Sequence, residues 1–100
     1  MPISGRELTG ASEAARLLLE RLGLDDWYFS LEPRETGPWE LRLECSGWEG
    51  WRAFSFPVEP SELIGSLDDP DLAQRMLADW RAKLSQCSSH AGPPPRSSSP

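Results

Sequence analysis

The residue types that perform most enzymatic chemistry are few in this sequence and are poorly placed for catalysis. The single histidine, His90, lies in a C-terminal stretch that has no large apolar residue. A serine or cysteine nucleophile activated by this histidine would require the stretch to dock on the folded part of the chain. No large apolar side chain is present there to hold it in place. The sequence therefore argues against this kind of catalytic site.

The acidic residues also lack the spacing of a catalytic or metal-binding set. Glu40 and Glu44 would share one face of a strand about 13 Å apart, which exceeds the roughly 5 to 9.5 Å between the carboxylates of glycosidases. The adjacent Asp68 and Asp69 fit the start of a helix, and no loop has the alternating acidic residues of a calcium site. We therefore expect no enzymatic activity, no cofactor and no metal.

The two cysteines, Cys45 and Cys87, have neither CxxC nor metal-ligand spacing. They could form one disulfide. The N-terminus, however, lacks the layout of a secretion signal, because its short leucine run at 17–19 is flanked by charged residues. A cytoplasmic location is then the default expectation, and cytosolic cysteines are normally kept reduced. We therefore expect two free thiols.

The tryptophans offer a different kind of chemistry, that of binding. The sequence has five, at Trp27, Trp39, Trp48, Trp51 and Trp80. Tryptophan and tyrosine are enriched at the centres of protein interfaces, because they provide large, rigid surfaces with a polar group. Which of them are free to bind a partner depends on the helices and strands that position them.

The first of these elements is a helix. Apolar residues recur at intervals of three and four between residues 8 and 22, which predicts a helix that is secure over 10–22. Its start is ambiguous, because either Ser4 or Thr9 could cap it. Gly23 can adopt the left-handed conformation that commonly follows the end of a helix.

The C-terminal part of the domain is also predicted to be helical. Asp69 and Pro70 fit the N-cap and first position of a helix, and the apolar stripe of that helix includes Trp80. A short helical turn over 60–67 can precede it.

Between the helices, apolar and polar residues alternate over 27–32, 39–46 and 51–58, which predicts three half-buried strands. Charge suggests the register of the first two strands. Pairing Glu32 with Arg42 places opposite charges across from each other, whereas a shift of two residues would place Glu32 opposite Glu40. We therefore predict the register with the opposite charges.

The third strand separates the tryptophans into two groups. Phe54 and Phe56 must face the core, so Trp51 must face the other way. A two-residue turn at 49–50 would pair Trp48 directly with Trp51. Tyr28 would lie beside Trp48 on the same outer surface, while the other three tryptophans belong to the core.

These elements predict an α+β domain over residues 1–87, with a disordered tail rich in proline and serine over 88–100. The sheet is a three-stranded antiparallel meander, and the N-terminal and C-terminal helices pack on one of its faces. The order is α-β-β-β-α, with the short extra helix before the last one.

This order of elements resembles that of double-stranded RNA-binding domains. Such domains have a basic run at the start of the last helix, where this sequence has Asp68, Asp69 and Asp71. The formal net charge of −6 also repels phosphate backbones and anionic lipids. No apolar run approaches the ~20 residues of a membrane span. We therefore expect neither nucleic acid nor membrane as a partner.

The sequence thus predicts a small acidic, non-enzymatic protein-binding module of the inhibitor, immunity or adaptor type. It would use the exposed sheet face, and its acidic rim would suit a basic partner. The predicted partner-binding residues are Tyr28, Trp48, Trp51, Arg42 and Arg52.

Two other functions are compatible with the sequence. The third strand is an edge that could pair with its copy in a homodimer, and a pocket between sheet and helices could bind a small molecule or peptide. Three interpretations leave the tryptophans without a binding role. Trp48 and Trp51 could clasp each other across the turn, a bulge could turn Trp51 inward, or the helix at 60–67 could cover both.

Overall fold

Residues 5–88 are the part of the chain that this computed structural model describes. The elements are α1 (Gly5–Leu22), β1 (Trp27–Glu32), β2 (Trp39–Gly47), β3 (Gly50–Val58), α2 (Pro60–Gly65) and α3 (Pro70–Lys83). The strands form one antiparallel sheet in the order β1-β2-β3. The predicted α+β class and α-β-β-β-α order, with the extra short helix, are confirmed.

Helix α1 contributes a stripe of alanine and leucine to the core. The buried residues of the stripe are Ala11, Ala14, Ala15, Leu18, Leu19 and Leu22. The helix already includes Gly5, the first described residue, five residues before the segment 10–22 that the sequence predicts as secure. It ends as predicted, because Gly23 has a φ of 72° and its N–H donates to the Glu20 carbonyl at 3.1 Å.

Helix α3 begins at the predicted cap and packs on the sheet. The Asp69 carboxylate accepts hydrogen bonds from the N–H groups of Asp71 and Leu72, at 3.1 and 3.2 Å, which satisfies donors that the first turn leaves free. Farther along, the buried Trp80 contacts Phe56 of β3 edge to face, with ring centroids 5.5 Å apart. This contact holds α3 against the inner face of the sheet.

The three tryptophans assigned to the core are found there. Trp39 and Trp80 are buried, and Trp27 is half-buried and packs against the core. The indole N–H of Trp39 donates to the carbonyl of Arg34 at 3.1 Å. This polar atom is therefore satisfied although the ring is buried.

The register between β1 and β2 differs by two residues from the prediction based on charge. Glu32 lies opposite Glu40 and not opposite Arg42. The like charges are tolerated because arginines reach them from neighbouring positions: Arg34 lies 3.0 Å from Glu40, and Arg42 lies 3.5 Å from Glu32. The ion pairs that motivated the prediction therefore form without direct opposition, so charge does not distinguish these two registers.

The turn between β2 and β3 also lies one position earlier than predicted. Trp48 and Glu49 form the two-residue turn, and Gly47 lies opposite Gly50. Gly50 has a φ of 118°, a conformation that favours glycine. The predicted direct pairing of Trp48 with Trp51 is wrong. The error arose because a register shift of two residues keeps every side chain on its own face.

The segment after α3 is attached covalently to the end of β2. Cys45 and Cys87 form a disulfide with their Cα atoms 5.7 Å apart, so the prediction of free thiols is wrong. That prediction rested on an inferred compartment, whereas the fold brings the segment alongside β2, where Gly47 and Cys87 form a β-bridge. The bond closes a long segment of chain, since the two cysteines are 42 positions apart.

Ser88, the first residue of the predicted tail, forms hydrogen bonds with two other segments. Its N–H and hydroxyl donate to the carbonyl of Ser46, at 2.8 and 2.9 Å, and its own carbonyl accepts from the N–H of Asp25 at 3.1 Å. The rest of the predicted tail, 89–100, lies outside the described residues, as does His90.

Candidate functional site

The sheet has one face covered by helices and one that is open. The open face, called here the outer face, consists of Tyr28, Ser30 and Glu32 from β1, Glu40, Arg42, Glu44 and Ser46 from β2, and Trp51, Ala53, Ser55 and Pro57 from β3. Most of these residues are exposed, while the alternate residues of the same strands contribute to the core. The alternation of a strand therefore produces this surface directly.

The register arranges the outer face in rows across the sheet. In order, the rows are Ser46–Trp51, then Tyr28–Glu44–Ala53, then Ser30–Arg42–Ser55, then Glu32–Glu40–Pro57. Aromatic side chains thus occupy one end and charged side chains the other. Between the two ends, the small residues Ser30, Ala53 and Ser55 lie on β1 and β3.

Tyr28 and Trp51 form a stacked pair across the sheet. They belong to β1 and β3, the two strands that flank β2, yet their ring centroids are 5.7 Å apart and their planes differ by 20°. The side chains nevertheless stay open to solvent, with 68% of Tyr28 and 57% of Trp51 exposed. The two rings orient each other while leaving most of their surface free for a partner.

Trp48 lies at the tip of the β2–β3 turn and is 74% exposed. None of the three interpretations without a binding role fits this arrangement. Trp51 lies opposite Ser46 and stacks on Tyr28, so it does not clasp Trp48. The β2–β3 pairing runs without a bulge from Trp39 to Gly47, and the exposure of both tryptophans shows that α2 does not cover them.

The two arginines of the predicted site are not beside the aromatic pair. Arg42 belongs to the outer face, but its guanidinium lies 3.5 Å from Glu32 and 3.9 Å from Glu40, at the charged end. Arg52 lies opposite Cys45, on the side of the sheet that faces the helices, and it contacts Glu49 at 3.7 Å. The structure therefore brings together Tyr28 and Trp51 and leaves both arginines apart from them.

Glu44 belongs to this surface although it was not among the predicted site residues. It is exposed and lies directly opposite Tyr28, one row from Trp51. The alternation of β2 places it on the same face as Glu40. The predicted register, however, placed Tyr28 opposite Ser46, so Glu44 did not stand out.

An open groove of about 290 Å³ lies at the charged end of the sheet. Its lining residues are Arg34, Pro38, Trp39, Glu40, Ser55, Phe56 and Pro57. The predicted small-molecule alternative required a pocket between sheet and helices. This groove instead borders the β1–β2 loop, where arginine and glutamate already neutralise each other at 3.0 Å.

Residues 5–88 contain neither a candidate metal site nor a candidate membrane span. No group of three or more histidine, cysteine or acidic residues in this range could hold a metal ion. None of the helices in the same range is long and apolar enough to cross a membrane.

Comparison with known proteins found no match for this chain. No family model, no curated protein and no solved structure matches the chain.

Proposed function

We propose that this domain is a small acidic, non-enzymatic protein-binding module whose partner docks on the outer face of the sheet. The observation that supports this most strongly is the stack of Tyr28 on Trp51, two large rings that remain exposed on an uncovered face. Trp48 adds a third exposed aromatic side chain at the adjacent turn. Residues of these types dominate the energetics of many protein interfaces.

The size of the domain makes this exposure notable. A small domain needs its large side chains for its core, and burial of one such side chain contributes roughly 1.5 to 3 kcal/mol. Here three aromatic residues lie outside the core. The free energy that their burial would contribute is therefore available to a partner that covers them. Tyr28 and Trp51 are also held in place by each other, which lowers the entropic cost of ordering them on binding.

Charge restricts the class of partner. The formal net charge of −6 favours encounter with a basic protein and disfavours nucleic acid and anionic membranes. Inhibitors, immunity proteins and adaptors are the kinds of protein that act in this way. The cytoplasmic location expected from the sequence stays a prediction, and the Cys45–Cys87 disulfide counts against it, because such bonds persist mainly in oxidising compartments.

A capture experiment with matched variants tests the proposal. The tagged wild type, W48S/W51S and L67S are used to capture proteins from an extract of the source cells. Leu67 is also an exposed apolar residue, but it follows α2 and lies away from the outer face. We expect a partner that wild type and L67S retain and that W48S/W51S loses, although this variant is somewhat less stable and still unfolds cooperatively at a temperature above that of the experiment. Equal capture by all three proteins would count against the outer face.

Self-association is a second candidate, supported by the sheet order. β3 (Gly50–Val58) is an edge strand of nine residues, and an open edge can pair with another strand. Light scattering after size exclusion separates the candidates. A mass near the 11.2 kDa of one chain across a wide concentration range supports the monomeric module, whereas twice that mass supports the dimer.

A further inference from the structure

The outer face has three glutamates, and two of them are neutralised by arginines. Glu40 lies 3.0 Å from Arg34, and Glu32 lies 3.5 Å from Arg42. Glu44 is the third. It is exposed, and it forms no ion pair with any residue between 5 and 88.

The cations nearest to Glu44 along the strands are engaged elsewhere. Arg42 is two residues away on the same face, but its guanidinium lies between Glu32 and Glu40 at the opposite end. Arg52 faces the other side of the sheet and contacts Glu49. The charge of Glu44 is therefore available to a cation from outside the domain.

The aromatic pair lies next to this carboxylate. Tyr28 is directly opposite Glu44 in the register, a position that places Cβ atoms about 5 Å apart. Trp51 occupies the next row of the same face, opposite Ser46. An exposed carboxylate thus flanks the exposed rings, and such rings attract cations through the negative charge of their faces.

Arginine is the side chain that fits this combination. Its guanidinium is planar, so it can stack on a ring while its N–H groups donate to a carboxylate, whereas the ammonium of lysine is a compact point charge. The neighbouring Ser30, Ala53 and Ser55 are small and exposed, which leaves room on the sheet for the chain on either side of the arginine.

We propose that Tyr28, Trp51 and Glu44 form a receptor for one arginine side chain of a basic protein partner. This inference rests on the proposed protein-binding function and specifies the group that the outer face recognises. Trp48 lies outside the receptor, because Trp51 and not Trp48 stacks on Tyr28 beside the carboxylate.

The test is an NMR titration with a blocked Gly-Arg-Gly peptide, read from the indole N–H signals. Trp48 is the internal control, since it is more exposed than Trp51 and is not part of the receptor. We expect the Trp51 signal to shift about fivefold more per unit of peptide than the Trp48 signal. Peptides with lysine or the neutral analogue citrulline in place of arginine should shift it less. Equal shifts of both indoles, or equal effects of the arginine and lysine peptides, would overturn the assignment.

Two variants that change the net charge equally isolate the carboxylate. Glu44→Gln should weaken the Trp51 response about threefold. Glu62→Gln removes an exposed charge on α2, outside the outer face, and should leave the response unchanged. If both variants behave alike, the assignment of Glu44 is wrong.

Failure of the receptor can be told apart from failure of the proposed function. A partner lost by W48S/W51S in the capture experiment, together with no preference for the arginine peptide, would leave the binding module in place and reject the arginine receptor. Equal capture by wild type, L67S and W48S/W51S would reject docking on the outer face, and with it both the proposed function of this face and the receptor.

Discussion

Tyr28 and Trp51 stack on each other across β2, although β1 and β3 form no hydrogen bonds with each other. The contact joins the two edge strands on the side of the sheet that no helix covers. It is therefore both a local clamp and the centre of the exposed aromatic surface. These two roles have different consequences for stability, which mutagenesis can separate.

The aromatic clamp should contribute modestly to stability. We expect Y28A and W51A each to lower the free energy of unfolding by about 0.5 to 1.5 kcal/mol, since the exposed rings lose mainly their mutual contact. W48A should cost less than about 0.5 kcal/mol, because it lies exposed at the turn. Urea unfolding of the three variants and of Y28A/W51A measures the coupling directly. A loss above about 3 kcal/mol for W51A, typical of a core aromatic, would show that Trp51 is structural.

The disulfide should be a major source of stability. Cys45 and Cys87 close a loop of 42 positions, and a bridge of this kind typically contributes roughly 2 to 4 kcal/mol by restricting the unfolded chain. We expect the urea midpoint to fall by a corresponding amount in C45A/C87A and in wild type with a reducing agent. The same midpoint with and without the reducing agent would contradict the bond.

The segment after α3 approaches β2 so closely at position 47 that we expect only glycine to fit there without strain. A Cβ there would lie 2.9 Å from the Gln86 carbonyl oxygen and 3.0 Å from that of Gly50. Both are backbone atoms, so we expect Gly47→Ala to destabilise the protein by about 1 to 3 kcal/mol.

Gly10→Ala is the matched control for this substitution. The new Cβ would meet only Ile64 at an ordinary 3.6 Å, so the variant should gain about 0.5 to 1 kcal/mol from the higher helix propensity of alanine. Thermal unfolding of both variants checks the opposite signs. Similar effects at the two sites would indicate that the segment at Gln86 does not lie against β2.

The cap of α3 should behave as an isolated local contact. Asp69→Ala removes an acceptor for two backbone N–H groups and should cost about 1 kcal/mol, while Asp69→Ser should retain most of that stability. Urea unfolding measures both variants. No difference between them would indicate that the side chain does not cap the helix.

The periodicity of the sequence was sufficient to predict the elements and the alternation of inward and outward side chains along each strand. Trp51 was correctly placed opposite to the side of Phe54 and Phe56, because a strand allows no other alternation. Parity is unchanged by a shift of two residues, so it could not determine the neighbours within a face. That is why the stack of Trp51 on Tyr28, and the position of Glu44 beside it, required the structure.

The long-range contacts of the segment after α3 also could not be predicted from sequence patterns. The pairing of Cys45 with Cys87 depends on where the segment after α3 runs, and no local pattern encodes that path. The charge argument failed for a related reason. Arginine side chains are long enough to reach glutamates in the adjacent row, so Arg42 contacts Glu32 without lying opposite to it.

Site-specific photo-cross-linking in the source cells tests the central claim most directly. A photoreactive residue replaces Ala53, in the middle of the outer face, or Gln74, which is exposed on α3. We predict that position 53 gives an adduct with another protein, that position 74 does not, and that adding W48S/W51S abolishes the adduct. Adducts from position 74 alone would contradict binding through the outer face. So would adducts from both positions that remain equally strong when W48S/W51S is present.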